Sequence, residues 1–197
     1  MAIADIVYAC IECGGVETLR PAGDAETCER CGTRYCRVDG ALIRAERPGR
    51  PPETRSAGEW LDLLAAIGAD SPHAIRPAPV LLRIADRQRP HRAAGMYLGR
   101  IESFGPELEG VLSLAGDRLA VQTEAARFEW PLLELTAVQP SSRALQLKVR
   151  NGPLLSFKFP EGSAVLWETR VQRALQDLYT SLGRGTIIEF QPRIVTR

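Results

Sequence analysis

From Val80 onward, apolar and polar residues alternate with the period of a half-buried strand. Val80-Leu81-Leu82-Arg83-Ile84, Met96 to Phe104, Leu108 to Leu114, and Arg118 to Gln122 are successive strand candidates. Phe128-Glu129-Trp130, Leu133 to Val138, Leu145 to Arg150, and Leu155 to Phe159 continue the series. Asn151-Gly152 reads as a two-residue hairpin turn between the last two. Leu145, Leu147 and Val149 then share one side with Leu155, Phe157 and Phe159. One buried face per strand implies an antiparallel sheet. After Ser163, a helix N-cap, the period becomes helical: Trp167, Val171, Ala174, Leu175, Leu178 and Leu182 form one stripe that stops at Gly183. This helix is expected to plug the sheet with Trp167 and Leu175 buried. Gly185 to Phe190 reads as a last short strand or a packed tail.

The first eighty residues carry weaker patterning. Ile6 to Ala9 and Val16 to Arg20 are short strand candidates, and a turn at Pro21-Ala22-Gly23-Asp24 ends the second. Thr33 to Arg44 supplies a hairpin about Asp39-Gly40. Three prolines within residues 48–52 predict an extended, semi-rigid linker. Ser56 and Glu59 match a capping box, and Trp60, Leu61, Leu63, Leu64 and Ile67 recur at helical spacing. So short a helix must dock its apolar face on something. The expected dock is the following domain, with a partner or a membrane surface as the other reading; the acidic Glu59 and Asp62 count against the membrane. The expected organisation is residues 1–47, a Pro-rich connection 48–79 containing helix 56–67, and a sheet domain 80–197. The class is mainly β with a C-terminal helix.

Four of the five cysteines form two matched pairs, Cys10-Ile11-Glu12-Cys13-Gly14 and Cys28-Glu29-Arg30-Cys31-Gly32. Two such turns can aim four thiolates at one ion, the closed coordination of structural zinc. This spacing resembles a zinc ribbon, with Cys10, Cys13, Cys28 and Cys31 as ligands of Zn2+. A ribbon this small has little core, so the metal must supply much of its folding free energy. Other chemistries also use paired cysteines. Disulfides are disfavoured, since no apolar leader is seen and a reducing cytoplasm is expected. A redox pair needs only one Cys-x-x-Cys. A rubredoxin-like iron site shares the turns but has longer spacing and aromatic surroundings. Cys36, five residues on, reads as a small apolar strand residue.

The remaining chemistry is sparse. Net charge is +1 over 197 residues, so no whole-chain field points to nucleic acid. No apolar run approaches the ~18–20 residues needed to span a bilayer. No nucleophile elbow, phosphate loop or dinucleotide fingerprint is present. Four thiolates leave no open metal position for catalysis. An enzyme is not expected. One cluster stands out: Arg83, Arg87, Arg89, Arg92 and Arg100, with His91 and a single acid, Asp86, around an expected inter-strand loop. Arginine recognises phosphate bidentately. The alternative is a solvated loop.

About seven antiparallel strands followed by one amphipathic helix resemble a pleckstrin-homology-like domain, of which the GRAM domain is a relative. The resemblance covers residues 80–182 and implies a partly open barrel capped by the helix, with headgroup binding near an inter-strand loop. The tract from Phe128 to Arg193 is similar to a tail on some bacterial lysophospholipid acyltransferases, in Phe157-Lys158-Phe159-Pro160-Glu161-Gly162-Ser163 and Phe190-Gln191-Pro192-Arg193-Ile194. That family pairs a histidine with an aspartate five positions later. Here Ala78 follows His73 and Met96 follows His91 at that distance, so the resemblance implies only an accessory, lipid-related role. The combined reading is a cytoplasmic, non-enzymatic adaptor, at most peripheral to a membrane, that binds a protein partner or an anionic phospholipid surface. Nucleic-acid association through the ribbon is the alternative; the acidic balance of residues 1–47 counts against it.

Overall fold

The computed structural model describes residues 2–40, 42–70, 76–141 and 143–185. It is mainly β, with two α-helices, and divides into two compact units. The first comprises Met1–Ala74 with Gly162–Thr169, the second Ile75–Glu161 with Arg170–Arg197.

In the first unit, β1 (Leu19–Ala22), β2 (Ala25–Cys28), β3 (Arg34–Asp39), β4 (Leu42–Glu46) and β5 (Glu53–Ser56) form an antiparallel meander in chain order. Residues 53–55, read from sequence as linker, thus form a strand with Ser56. They pair with β4 through Ile43 and Arg55, and Arg44 and Thr54. The prolines of residues 51–52 precede the strand, where a missing N–H costs no ladder bond.

Helix α1 (Ala57–Asp70) follows at once. The Ser56 hydroxyl accepts from the Glu59 N–H (3.3 Å), and the Glu59 carboxylate accepts from the Ser56 N–H (2.8 Å), completing the predicted capping box. The helix docks within its own unit rather than on the sheet domain: Trp60 and Leu64 are fully buried with Tyr35, Ile43, Ala45, Val7 and Cys10. The Trp60 indole donates to the Ile43 carbonyl at 3.0 Å, and its ring meets Tyr35 edge-on at 6.0 Å. The N-terminal segment is held by Glu26, whose carboxylate accepts from the Ile3 and Ala4 N–H groups, each at 2.7 Å.

The second unit contains β6 (Ala78–Ala93), β7 (Met96–Phe104), β8 (Leu108–Ala115), β9 (Arg118–Thr123), β10 (Arg127–Pro131), a 3-10 turn at Leu132–Glu134, β11 (Leu135–Ser141), β12 (Ala144–Val149) and β13 (Leu154–Lys158). The strand order is β10-β9-β8-β6-β13-β12-β11, all pairs antiparallel, with β7 on β6. The first strand, β6, therefore joins two meanders by pairing with both β8 and the last strand, β13. Val80, Leu82, Leu112, Leu119, Val121, Leu145, Leu147, Leu155 and Phe157 are buried, the single inward face that the alternation predicts. Leu145 pairs with Phe157 and Leu147 with Leu155. Trp130 of β10 reaches Phe157 of β13 edge-on at 6.0 Å, so the two meanders fold over a common core.

Two expectations change. The β12–β13 connection is wider than a two-residue turn: β12 ends at Val149 and β13 begins at Leu154, with Asn151 left-handed at φ 52°. Among the described residues β10 and β11 end the strand order unpaired with each other, so the sheet is not closed, as a partly open barrel allows. The expected loop after Ile84 is instead strand. β6 runs on to Ala93, turns through Ala94 (φ 49°) and Gly95 (φ 78°), and pairs back with β7 from Ala93–Met96 to Ala85–Phe104. Positive φ at both turn residues is the geometry of a tight two-residue hairpin.

Helix α2 (Ala164–Ser181) starts at Ser163, whose hydroxyl accepts from the Leu166 N–H at 3.3 Å. That hydroxyl also donates to the Asp5 carbonyl at 2.9 Å, and Leu166 joins the core cluster of the first unit. The helix thus begins within the first unit. Trp167 and Leu175 are both buried, as expected. The expected final strand, residues 185–190, lies outside the described residues from Thr186 onward. Among the described residues no helix is long and apolar enough to cross a membrane.

Candidate metal centre

The two cysteine turns are built alike. In the first, the Gly14 N–H donates to the Cys10 carbonyl at 2.8 Å and the Cys10 N–H to the Gly15 carbonyl at 2.8 Å. In the second, the Gly32 N–H donates to the Cys28 carbonyl at 2.9 Å and the Cys28 N–H to the Thr33 carbonyl at 2.8 Å. Gly14 and Gly32 are left-handed, at φ 64° and 76°, which is why glycine follows each pair. The turns are tied together by the Glu29 N–H donating to the Thr18 carbonyl at 2.9 Å.

The result brings all four predicted ligands to one place. The Sγ atoms of Cys10, Cys13, Cys28 and Cys31 lie within 4.8 Å of one another. Cys10 and Cys31 are 3.5 Å apart, and Cys13 and Cys28 3.7 Å. These distances are far too long for a disulfide, whose sulfurs lie about 2.05 Å apart. They match the edge of a tetrahedron of sulfurs bound at about 2.3 Å, which is roughly 3.8 Å. The donor set therefore fits a metal ion. Cys10 and Cys28 are buried, while Cys13 and Cys31 are partly exposed, so an ion has a route in.

Burial and the closeness of the sulfurs perturb the bare thiols in opposite directions. Burial pushes the Cys10 thiol up and the Cys13 thiol up to about 12, with neighbouring sulfurs adding to it. Burial acts on Cys28 too, but the Thr18 hydroxyl and the N–H groups of Arg30 and Cys31 outweigh it and bring that thiol down to about 6. Four thiolates this close repel one another unless a cation sits among them, and a bound dication reverses that balance.

The sequence does not reveal what surrounds the sulfurs. Tyr35 on β3 is fully buried; its hydroxyl accepts from the Ile11 N–H at 3.0 Å and donates to Cys10 Sγ at 3.5 Å. Burial pushes the phenol well above its ordinary range, so it remains a donor. The Thr18 hydroxyl lies 3.2 Å from Cys28 Sγ, and the Thr33 hydroxyl 3.2 Å from Cys31 Sγ. Glu12, inside the first turn, pairs with Arg47 at 3.7 Å and Arg50 at 3.3 Å; Arg47 also pairs with Glu53 at 2.7 Å. The segment leading into β5 is thus fastened to the cysteine turn. Spacing gives little sign of these contacts, because most of them join residues far apart in the chain, as Tyr35 does with Ile11 and Cys10. Cys36 is buried in β3, with its Sγ donating to the Arg44 carbonyl at 3.8 Å, and lies outside the metal-ligating group, as its strand reading expects.

The arginine cluster occupies the β6–β7 hairpin. Arg83, Arg87, Arg89 and Arg92 are exposed. The Arg83 guanidinium lies over the Phe104 ring, 5.2 Å from its centroid. Arg87 pairs across the ribbon with Ser103, Arg89 with Ile101, and Arg92 with Tyr97. The side chain of Arg100 lies outside the described residues. None of the ion pairs among the described residues involves Arg83, Arg87, Arg89 or Arg92. A comparison with models of known protein families finds no match, and neither does one with curated proteins.

Proposed function

We propose that the chain is a non-enzymatic adaptor: a structural zinc ribbon carried with a pleckstrin-homology-like sheet that recognises an anionic partner through the β6–β7 hairpin. Zinc is the ion that suits four thiolates in tetrahedral array with no position left for water. Such a site orders the chain around it and offers a substrate nothing to bind. The strand order supports the pleckstrin-homology-like reading, since the first strand of a meander pairs with the last and a helix follows.

The observation that carries the recognition role is the charge on the hairpin. Between Arg87 and Arg100 there are four arginines, one histidine and no acid, in a chain of net charge +1. Asp86 and Glu102 flank this stretch, and Glu102 faces Lys148 at 3.8 Å. Guanidinium groups so displayed suit phosphate or carboxylate groups on a partner. The test is co-sedimentation with vesicles of phosphatidylcholine alone and with added phosphatidylserine. Binding to the anionic vesicles only, weakened by salt and by changing Arg87, Arg89 and Arg92 together to Ser, is the expected result. Equal binding to both kinds of vesicle, or retention by the triple variant, would overturn it.

A further inference from the structure

We propose that the β6–β7 hairpin is a membrane-inserting arm: its apolar tip enters an anionic phospholipid surface while the arginines behind it hold the headgroups. The inference rests on the anionic-partner reading and adds what the partner is and how it is engaged. β6 pairs with β8 only over residues 78–82 and with β13 only over 81–84. Beyond Ile84 its partner among the described residues is β7 alone. Residues 85–93 and 96–104 are therefore a two-stranded ribbon with two free edges among those residues. Eight residue steps of strand carry its tip roughly 26 Å from Ala85.

The tip combines two properties that solvent alone does not favour. Met96, Tyr97 and Leu98 are consecutive, large and apolar, and 64%, 58% and 55% exposed. Apolar residues scattered singly over a surface are ordinary; three together at the end of a projecting ribbon form a patch. The turn that presents them is tight, with Ala94 and Gly95 both left-handed. The register slips between His91–Gly99 and Arg92–Tyr97, so Leu98 is an extra residue. Such a bulge sets two neighbours of one strand opposite a single residue of the other. Behind the tip, Arg92, Arg89 and Arg87 follow along β6, all exposed, with His91 among them.

The order of chemistry along the arm is apolar, then cationic, then acid-bearing at the base. A lipid surface presents the complementary order: hydrocarbon, then anionic headgroups, then water. Tyrosine sits well at the boundary because its ring is apolar and its hydroxyl is not. Methionine and leucine suit acyl chains, whereas a nucleic-acid groove would meet them with phosphate. No transmembrane helix is needed for this mode of attachment, and it is reversible because the buried area is small.

The test uses the full chain carrying Tyr97→Trp and vesicles of phosphatidylcholine with phosphatidylserine, with and without brominated acyl chains. Of the three native tryptophans, Trp60 and Trp167 are buried and Trp130 is partly exposed, so the unsubstituted chain, measured with the same vesicles, supplies the emission and quenching baseline. Insertion predicts a blue shift and bromine quenching of the introduced tryptophan on anionic vesicles, absent on phosphatidylcholine alone. A second variant, with Met96, Tyr97 and Leu98 all changed to Ser, should bind at least tenfold more weakly while keeping its salt dependence. If the introduced tryptophan is unquenched on bound protein and the serine variant binds as the parent does, insertion is wrong and surface attachment by arginine stands. If the parent binds no vesicle of either composition at low salt, the membrane reading falls with it. Capture by anionic duplex DNA but not by vesicles would assign the arm to nucleic acid and overturn the proposal.

Discussion

In the cysteine unit, strands of four to six residues close over a core that includes two of the four candidate metal ligands, Cys10 and Cys28. In the sheet unit, Leu82, Leu112, Leu119, Leu145, Leu147, Leu155 and Phe157 fill one face of a larger sheet with aliphatic and aromatic side chains. The first core has sulfur at its centre and polar ties around it: Tyr35 to Cys10, Glu12 to Arg47, Glu26 to the N-terminal amides. The second has hydrocarbon at its centre and its charge on a projecting hairpin. A small unit gains too little from apolar burial to offset its chain entropy, and on the proposed reading coordination makes up the difference. A sheet with a continuous apolar face needs no such aid. Removing metal should therefore separate the two units, and removing apolar mass should separate them the other way.

The largest effect is expected from the ligands. Cys28→Ser should abolish stoichiometric metal binding and unfold the cysteine unit, since a structural zinc site contributes on the order of 10 kcal/mol. Metal content by elemental analysis, with circular dichroism for the remaining strand signal, checks this. A variant that keeps one equivalent of metal would break the comparison.

Core truncations come next. Trp60→Ala leaves a cavity beside Tyr35 and Ile43 and should cost about 3–5 kcal/mol within the cysteine unit. Phe157→Ala should cost a similar ~3–5 kcal/mol within the sheet unit while metal content stays at one equivalent. Denaturant melts of the two variants, each with a parallel metal assay, sharpen the contrast. Loss of metal in Phe157→Ala would show that the units are not ordered independently.

A smaller effect is expected at Tyr35. Tyr35→Phe keeps the ring against Trp60 but removes the hydroxyl between the Ile11 N–H and Cys10 Sγ. It should weaken metal affinity roughly tenfold, the low end for a group that supports a ligand. Chelator competition measures it. The smallest change is at the start of α1: Ser56→Ala removes the cap and should cost about 1 kcal/mol, read from the melting of the cysteine unit.

How far these features are legible in the sequence depends on whether their cause is local. The cysteine turns are legible because two intervening residues and a following left-handed glycine are all that the geometry requires. The buried face of β12 and β13 is legible because one side of each strand meets solvent and the other does not. Only half of the arm is: Met96 to Phe104 reads as a strand and forms β7, whereas residues 86–93 are exposed on both faces and show no alternation to read, and arginine is an ordinary loop residue as well as an exposed strand one. β5 is short, polar and preceded by prolines, so only its pairing with β4 identifies it. The start of α2 belongs with the cysteine unit through the contact of Ser163 with the Asp5 carbonyl, 158 residues away. No local pattern encodes a contact at that separation.

The central claim, that metal orders the cysteine unit while hydrocarbon orders the sheet unit, is tested most directly by amide hydrogen exchange on the full chain before and after metal removal under reducing conditions. The account predicts that protection collapses across β1 to β5 and α1 and persists in β6, β8, β9, β12 and β13. Unchanged protection at Cys10, Cys28 and Trp60 in metal-free protein would contradict it.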